Sequence, residues 1–214
     1  EYGLGAAVPF IYASSAAVYG ASNSFKEDVA VERPLNVYGY SKLLFDQYVQ
    51  RILPKASSQV TGLRYFNVYG PGEAHKGEMA SVAFHLDQQG CSDGEARLFE
   101  GSDGYAEGEQ RRDFIYIDDV VAVNLWFYER LEHSGIFNVG TGRATTFNEL
   151  ADAVLQWHGK GKKRYIPFPE HLEDAYQSFT EADITKLRSV GYDSAFLDVR
   201  AGVKCYFDTL KKAE

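Results

Sequence analysis

The sequence predicts an α/β fold built on a parallel sheet, and three observations carry the prediction. Short apolar, partly β-branched runs alternate with longer amphipathic stretches along the 214 residues, the order expected when helices cross over between parallel strands. The run Val8-Pro9-Phe10-Ile11-Tyr12-Ala13 has the apolar character of a buried strand. It ends in Ser14-Ser15-Ala16-Ala17-Val18-Tyr19-Gly20, small residues and hydroxyls at the place where open α/β sheets bind ligands.

The elements follow in order. Glu1 to Ala7 reads like the tail of a helix running into the first strand. Tyr38 opens an amphipathic helix that lasts to Pro54, with Leu43, Leu44, Tyr48 and Ile52 on one spacing and Lys42, Asp46 and Arg51 elsewhere. Pro54 stops it, because proline cannot continue the hydrogen-bond ladder. Val60 to Tyr65 is a second strand, closed by a turn at Gly70-Pro71. A helix is expected over roughly 79–89 and a short strand over 96–100. The polar stretch 102–110 reads as a mobile insertion. Arg112 to Ile117 is a strand, Asp118 the N-cap of a helix over 119–132, and Gly135 to Val139 a returning strand. Thr146-Phe147-Asn148-Glu149 has the pattern of a capping box before a helix to His158. A strand at 165–168 and helices near 183–190 and 198–211 complete the chain.

Composition narrows the function. A 45% hydrophobic chain of this length can bury a sizeable core. Its net charge of -8 argues against a nucleic-acid surface. No apolar run approaches the roughly 20 residues of a membrane span, and no basic leader precedes an apolar core at Glu1. The two cysteines, Cys91 and Cys205, do not make a disulfide framework and fit a reducing, cytoplasmic compartment. No metal centre is expected.

The chemistry concentrates in Tyr38-Gly39-Tyr40-Ser41-Lys42. On a helix Tyr38 and Lys42 lie one turn apart on one face. A free tyrosine titrates near a pKa of roughly 10, and a neighbouring ammonium favours its phenolate, so the pair can accept a proton from a sugar hydroxyl. Ser15 could hydrogen-bond the same hydroxyl. Taken alone, a Tyr-x-x-x-Lys is a solvated helix face and Ser14-Ser15 a turn; strand, serine-rich exit and helix together are more specific.

These stretches, with Arg64-Tyr65-Phe66-Asn67-Val68-Tyr69-Gly70-Pro71, Arg112 to Val120 and Phe137-Asn138-Val139-Gly140-Thr141-Gly142, resemble the extended short-chain dehydrogenase/reductase superfamily of nucleotide-sugar epimerases, dehydratases and reductases. The resemblance implies a partial doubly wound, Rossmann-like parallel sheet with a smaller substrate-binding lobe. Residues 1–71 plus 113–164 would form the C-terminal part of a dinucleotide-binding domain, and 72–112 plus 165–214 the lobe and C-terminal helices. No Gly-x-x-Gly-x-x-Gly follows a strand, so the chain is expected to be a fragment lacking the first half of that domain.

Finer motifs, among them Pro34 to Lys42, His75-Lys76-Gly77, Met79 to Leu86, Leu98 to Ser102 and Ile166 to Pro169, resemble the branch that inverts C6 of an ADP-linked heptose through a transient ketone, for the lipopolysaccharide inner core. That resemblance implies NADP as cofactor, an ADP-heptose substrate and a homo-oligomer when full length. It implies that Tyr38 and Lys76 are two acid/base groups, with Ser15 and Lys42 assisting, and that Lys42, Val68 and Lys76 lie by the cofactor. Ser15, Asn67, Glu78, His85, Phe99, Glu100, Gly101, Ser102, Arg112 and Tyr176 would line the substrate site. Glu78 stands where the branch has a small hydroxyl residue, and a carboxylate there would repel a diphosphate unless it points away. The alternatives are another nucleotide-sugar 4-epimerase or 4,6-dehydratase, which Ala16-Ala17 after Ser15 counts against, and a non-catalytic sugar-nucleotide-binding module.

Overall fold

A computed structural model of the chain describes residues 8–169 and 176–213; the expected helix tail at 1–7 lies outside them. In chain order the strands and helices are β1 (Phe10–Ser15), α1 (Val37–Ile52), β2 (Val60–Tyr65), β3 (Asn67–Tyr69), α2 (Val82–Ser92), β4 (Glu95–Phe99), β5 (Arg111–Arg112), β6 (Phe114–Tyr116), α3 (Ile117–Tyr128), β7 (Gly135–Val139), β8 (Thr145–Thr146), α4 (Phe147–His158), β9 (Lys162–Ile166), α5 (Thr185–Ser189) and α6 (Val199–Ala213). Short 3-10 turns fill several connections.

The chain forms two compact units: Glu1–Phe66, Val120–Gly140 and Ala182–Ser194, and then Asn67–Asp119, Thr141–Glu181 and Ala195–Glu214. These divisions differ from the expected ones chiefly at Thr141 to Arg164. That segment belongs to the second unit because α4 buries Leu150, Ala151 and Val154 in one core with Leu86 of α2 and Val203, Tyr206 and Phe207 of α6.

The first unit holds a parallel sheet of order β1-β2-β7, with Phe10 opposite Val60 and Thr61 opposite Gly135. All five residues of β7 are buried, as are five of six in β2, which is why both read as apolar runs. A charged residue interrupts that pattern. Arg64 is fully buried in β2, and its guanidinium bonds Asp46 at 2.8 Å, Tyr19 at 3.1 Å and Glu32. Asp46 also accepts from Tyr12 and Ser14, each at 2.8 Å. The Tyr19 hydroxyl donates to Asn138 of β7 at 2.6 Å. One polar network therefore ties α1 to all three strands.

It also corrects the expected face of α1. The buried positions are Gly39, Leu43, Asp46 and Val49, whereas Leu44 and Tyr48 are half exposed. The ion pair with Arg64 outweighs the apolar pattern, since a buried guanidinium needs an acid beside it.

In the second unit β3 pairs with β6 and β4 with β9, both parallel, and β5 with β8 antiparallel. The expected strand over 112–117 is broken at Asp113. That buried carboxylate turns aside to accept from the Thr141 amide and hydroxyl, each at 2.7 Å, and from the Gly142 amide at 2.9 Å. The following helix begins at Ile117, so Asp118 is in its first turn rather than at its N-cap. The capping box is formed: Thr146 Oγ1 accepts from the Glu149 amide at 3.0 Å, and Glu149 accepts from the Thr146 amide at 3.0 Å.

The stretch 102–110 is tied down rather than loose. Gly108 N donates to Phe99 O at 3.1 Å, Asn148 N donates to Gly108 O at 3.0 Å, and buried Gln110 bonds Glu100 O and Ser102 Oγ, each at 3.0 Å. Part of its polarity satisfies neighbouring backbone groups, while Asp103 and Glu107 stay exposed.

Candidate functional site

In the first unit the expected site residues Ser15, Tyr38 and Lys42 lie around the end of β1. Ser15 closes β1 and caps a 3-10 turn over Ala16–Val18, its Oγ accepting from the Ala17 amide at 3.1 Å. Asn36 caps α1 by accepting from the Gly39 amide at 2.8 Å. A Cβ on Gly39 would lie 2.6 Å from the Ala17 carbonyl oxygen, so only glycine lets the start of α1 rest on the turn after Ser15. This contact sets Tyr38, one residue before Gly39, beside the Ser15–Val18 turn. Tyr38 is exposed. Lys42 Nζ lies 5.6 Å from its ring centroid and donates to Ala13 O on β1 at 2.9 Å. One of its three N–H donors is thus spent on the sheet, leaving two for a ligand. Ser14 faces the other way, onto Asp46, so the two adjacent serines divide between anchoring and display.

The second unit carries a cleft of about 460 Å³ lined by Asn67, His85, Phe99, Arg112 and Tyr176 of the expected substrate set. The cleft also takes Val82, Leu86 and Gln89 from α2, Arg97 and Leu98 from β4, and Gln110, Phe147 and Ile166. Phe99 packs against Phe168 at 5.3 Å, and Phe168 against Tyr176 at 5.1 Å, both edge to face. Its walls are mostly apolar and aromatic with a few converging polar groups, the usual make-up of a small-molecule site.

Arg112 is the buried cation of this cleft, whereas Arg97 in the same lining is ion-paired with Asp93. It is buried, with its guanidinium 4.7 Å from the Tyr176 ring and 5.8 Å from the Phe147 ring. One N–H donates to Arg111 O at 3.1 Å. No acid lies within ion-pair distance among the described residues. Burial pulls the guanidinium below its usual range, and burial also raises the Tyr176 phenol. A desolvated guanidinium resting on aromatic faces suits a phosphate or carboxylate.

The remaining expected residues lie elsewhere. Glu100, Gly101 and Ser102 follow Phe99 outside the lining. They form the folded edge of the 102–110 stretch, where a Cβ on Gly101 would lie 2.2 Å from Tyr105 O. Lys76 is exposed in a 3-10 segment over Ala74–Met79, beside Gly77 with φ 54°. Glu78 is also exposed and outside the lining; its carbonyl lies 3.3 Å from His85 Nε2. Val68 is half buried in β3, opposite Ile115 and outside the cleft. Sequence reasoning missed Gln89, Arg97, Gln110 and Phe147. Phe147 was absorbed into the capping box and Gln110 into an expected loop.

Three comparisons bear on this arrangement. A family model described as the NAD dependent epimerase/dehydratase family matches residues 2–140. The chain is 59% identical over 206 residues to an ADP-L-glycero-D-manno-heptose-6-epimerase of Alkalilimnicola ehrlichii, covering 96% of this chain and 64% of that protein. It therefore spans just under two thirds of that relative's length. A crystal structure of the Helicobacter pylori ADP-L-glycero-D-manno-heptose-6-epimerase superposes with a TM-score of 0.78 at 35% identity, over 94% of this chain and 59% of that one. The Thermus thermophilus UDP-glucose 4-epimerase, solved in complex with NAD, superposes at 0.77 with 24% identity, over 95% of this chain and 64% of that one, a likeness of fold. The serine-rich exit of β1, the Tyr38–Lys42 helix bedded on it and the parallel sheet beneath accord with the match over 2–140: the chain belongs to the NAD dependent epimerase/dehydratase family.

Proposed function

We propose that the chain carries the substrate site and acid/base residues of an ADP-L-glycero-D-manno-heptose 6-epimerase, a cytoplasmic enzyme that supplies a lipopolysaccharide inner-core precursor. The observation that carries this reading is the 59% identity over 206 of the 214 residues to an enzyme of that name. The first unit is then the carboxyl-terminal part of a dinucleotide-binding domain and the second unit the substrate lobe. Assembly into a homo-oligomer belongs to the same proposal.

The residues at the end of β1 fit the nicotinamide-ribose end of a dinucleotide. Ser15 and Tyr38 stand at the carboxyl edge of a parallel sheet, and Lys42 keeps two donors for ribose hydroxyls. The Gly-x-x-Gly-x-x-Gly that would cradle the pyrophosphate is absent from these 214 residues. We assign NADP, as the motif resemblance implies. When bound, it supplies a reversible hydride acceptor for the secondary alcohol carbon.

The chain's own groups then do the rest. Ser15 holds the reacting hydroxyl, and Tyr38 accepts its proton. Inversion returns hydride to the opposite face, where a single fixed base cannot serve, so Lys76 acts as the second proton carrier. Arg112 holds the diphosphate, and the Phe99–Phe168–Tyr176 wall and Asn67 hold the remainder of the ligand.

The test has two layers. Calorimetry of the chain with ADP-D-glycero-D-manno-heptose should show binding without cofactor, because the cleft lies within the second unit; no binding contradicts the reading. In a full-length protein that carries the pyrophosphate-cradling loop, with NADP supplied, NMR of the heptose should show C6 inversion. Tyr38→Phe and Lys76→Met should each lose about 10²- to 10⁴-fold in turnover with binding retained. Near-normal inversion by Lys76→Met would return a one-base nucleotide-sugar epimerase to first place.

A further inference from the structure

The second unit contains a side-chain cluster that the proposed reaction does not use. Asp87 and Cys91 are four residues apart on α2, on one face and one turn from each other. His158 is the last residue of α4. Its Nε2 lies 3.0 Å from Asp87 Oδ1, and one oxygen, one sulfur and one ring nitrogen of the three residues all lie within 4.8 Å of one another.

The place of the imidazole is built into α2. Glycine inside a helix costs about 1 kcal/mol relative to alanine, yet α2 carries Gly90 between Asp87 and Cys91. A Cβ there would lie 3.0 Å from both Cδ2 and Nε2 of His158. Gly90 therefore opens the helix surface to the ring and seats it between the carboxylate and the thiol. Trp157 Nε1 donates to Asp208 at 2.9 Å, which fixes the neighbouring residue of α4. Asp87 is buried and Cys91 exposed, so the cluster has an anchored inner side and an open outer side.

We propose that Asp87, Cys91 and His158 form a binding site for a divalent transition metal of the zinc type. Thiolate, imidazole and carboxylate together suit zinc and disfavour magnesium or calcium, which want oxygen donors alone. Zinc bonds of about 2.0–2.3 Å in tetrahedral geometry hold donor atoms roughly 3.3–3.7 Å apart. The Asp87–His158 pair, at 3.0 Å, opens slightly to admit the ion in place of its hydrogen bond, and Cys91, at the exposed last turn of α2, adjusts with it. On binding, the Cys91 thiol releases its proton to solvent and the imidazole turns an unprotonated nitrogen to the metal. Uptake therefore weakens in acid. Water completes the fourth position on the open side. Because α2 and α4 both contribute side chains to the cleft, a bound ion would brace two of its walls. The proposal is independent of which sugar nucleotide the cleft takes.

The chain, reduced and freed of chelators, would be titrated with Co²⁺ in place of zinc. We expect one equivalent to bind with a thiolate-to-cobalt charge-transfer band, and Zn²⁺ to displace it. Cys91→Ser, an exposed change, should abolish the band and cut Zn²⁺ affinity at least tenfold. Cys205→Ser, the other cysteine, should leave both intact. Zn²⁺ should raise the melting temperature of the wild type and not of Cys91→Ser. His158→Gln should match Cys91→Ser; if it fails to fold, the cysteine pair alone decides. Absence of the band, its survival in Cys91→Ser, or its loss in Cys205→Ser would each overturn the site and leave Asp87–His158 as a plain buried pair.

Discussion

Two buried arginines, one in each unit, have opposite surroundings. Arg64, in the sheet of the first unit, spends its donors on Asp46, Glu32 and Tyr19. Arg112, in the cleft of the second, lies on two aromatic rings with no acid among the described residues. Burial lowers both guanidinium pKa values, but Tyr19, Asp46 and Glu32 more than offset it for Arg64, which ends above its ordinary range while Arg112 ends below. The same residue type, buried in both units, is in one case a completed structural tie and in the other pairs with no acid among the described residues. Burial alone does not distinguish the two; the acids paired with Arg64 do, and none among the described residues pairs with Arg112.

Removing the Arg64 charge should have the largest effect. Arg64→Met leaves Asp46 and Glu32 buried without their cation, and breaking such a pair costs about 3–5 kcal/mol. Urea unfolding should show a loss of that size, partly recovered by adding Asp46→Asn. A loss below 1 kcal/mol in the single variant would break the contrast between the two arginines. Next comes the helix cap in the second unit: Thr146→Ala removes the acceptor for the Glu149 amide and should cost about 1 kcal/mol in the same assay, without touching the first unit.

The smallest effect is a pH dependence in the first unit. Burial raises the Glu27 carboxyl, with the hydrogen bond from the Asn138 amide opposing it. Its folded pKa lies above its unfolded one, so the native state binds more protons between the two. Stability therefore falls as pH rises from the unfolded value through the folded one. Urea midpoints from pH 4 to 7 should show a shallower fall in Glu27→Gln than in the wild type; an identical slope would remove Glu27 from the account.

Much of the fold was legible because its signals are local. The runs at Val60–Tyr65 and Gly135–Val139 emerged with their boundaries, and the Thr146–Glu149 box formed as written, since each depends on neighbouring residues alone. What escaped depends on pairing across the chain. Asp46 read only as lying off the apolar spacing of its helix, because its partner is 18 positions away. The signal was present on the other side: a charged Arg64 within an apolar strand demands a buried acid. Residues 102–110 read as loose because polarity on the page does not reveal that Gln110 and Gly108 bond backbone groups of their own unit. For the cleft, motif resemblance supplied Asn67, His85, Phe99, Arg112 and Tyr176. Gln89 and Arg97 carry no local signal, since only the packing of α2 beside β4 brings them to the wall.

The most direct test pairs two measurements on one variant. Arg112→Met keeps the side chain's bulk and removes a buried charge that no acid among the described residues pairs with. Its urea midpoint should equal or exceed that of the wild type, while calorimetry should show affinity for the proposed ADP-heptose ligand reduced roughly 10- to 100-fold, the worth of hydrogen bonds to a charged group at about 1.5–3 kcal/mol. Unchanged affinity, or a loss of stability comparable to that of Arg64→Met, would contradict the claim that Arg112 is held open for an anionic ligand.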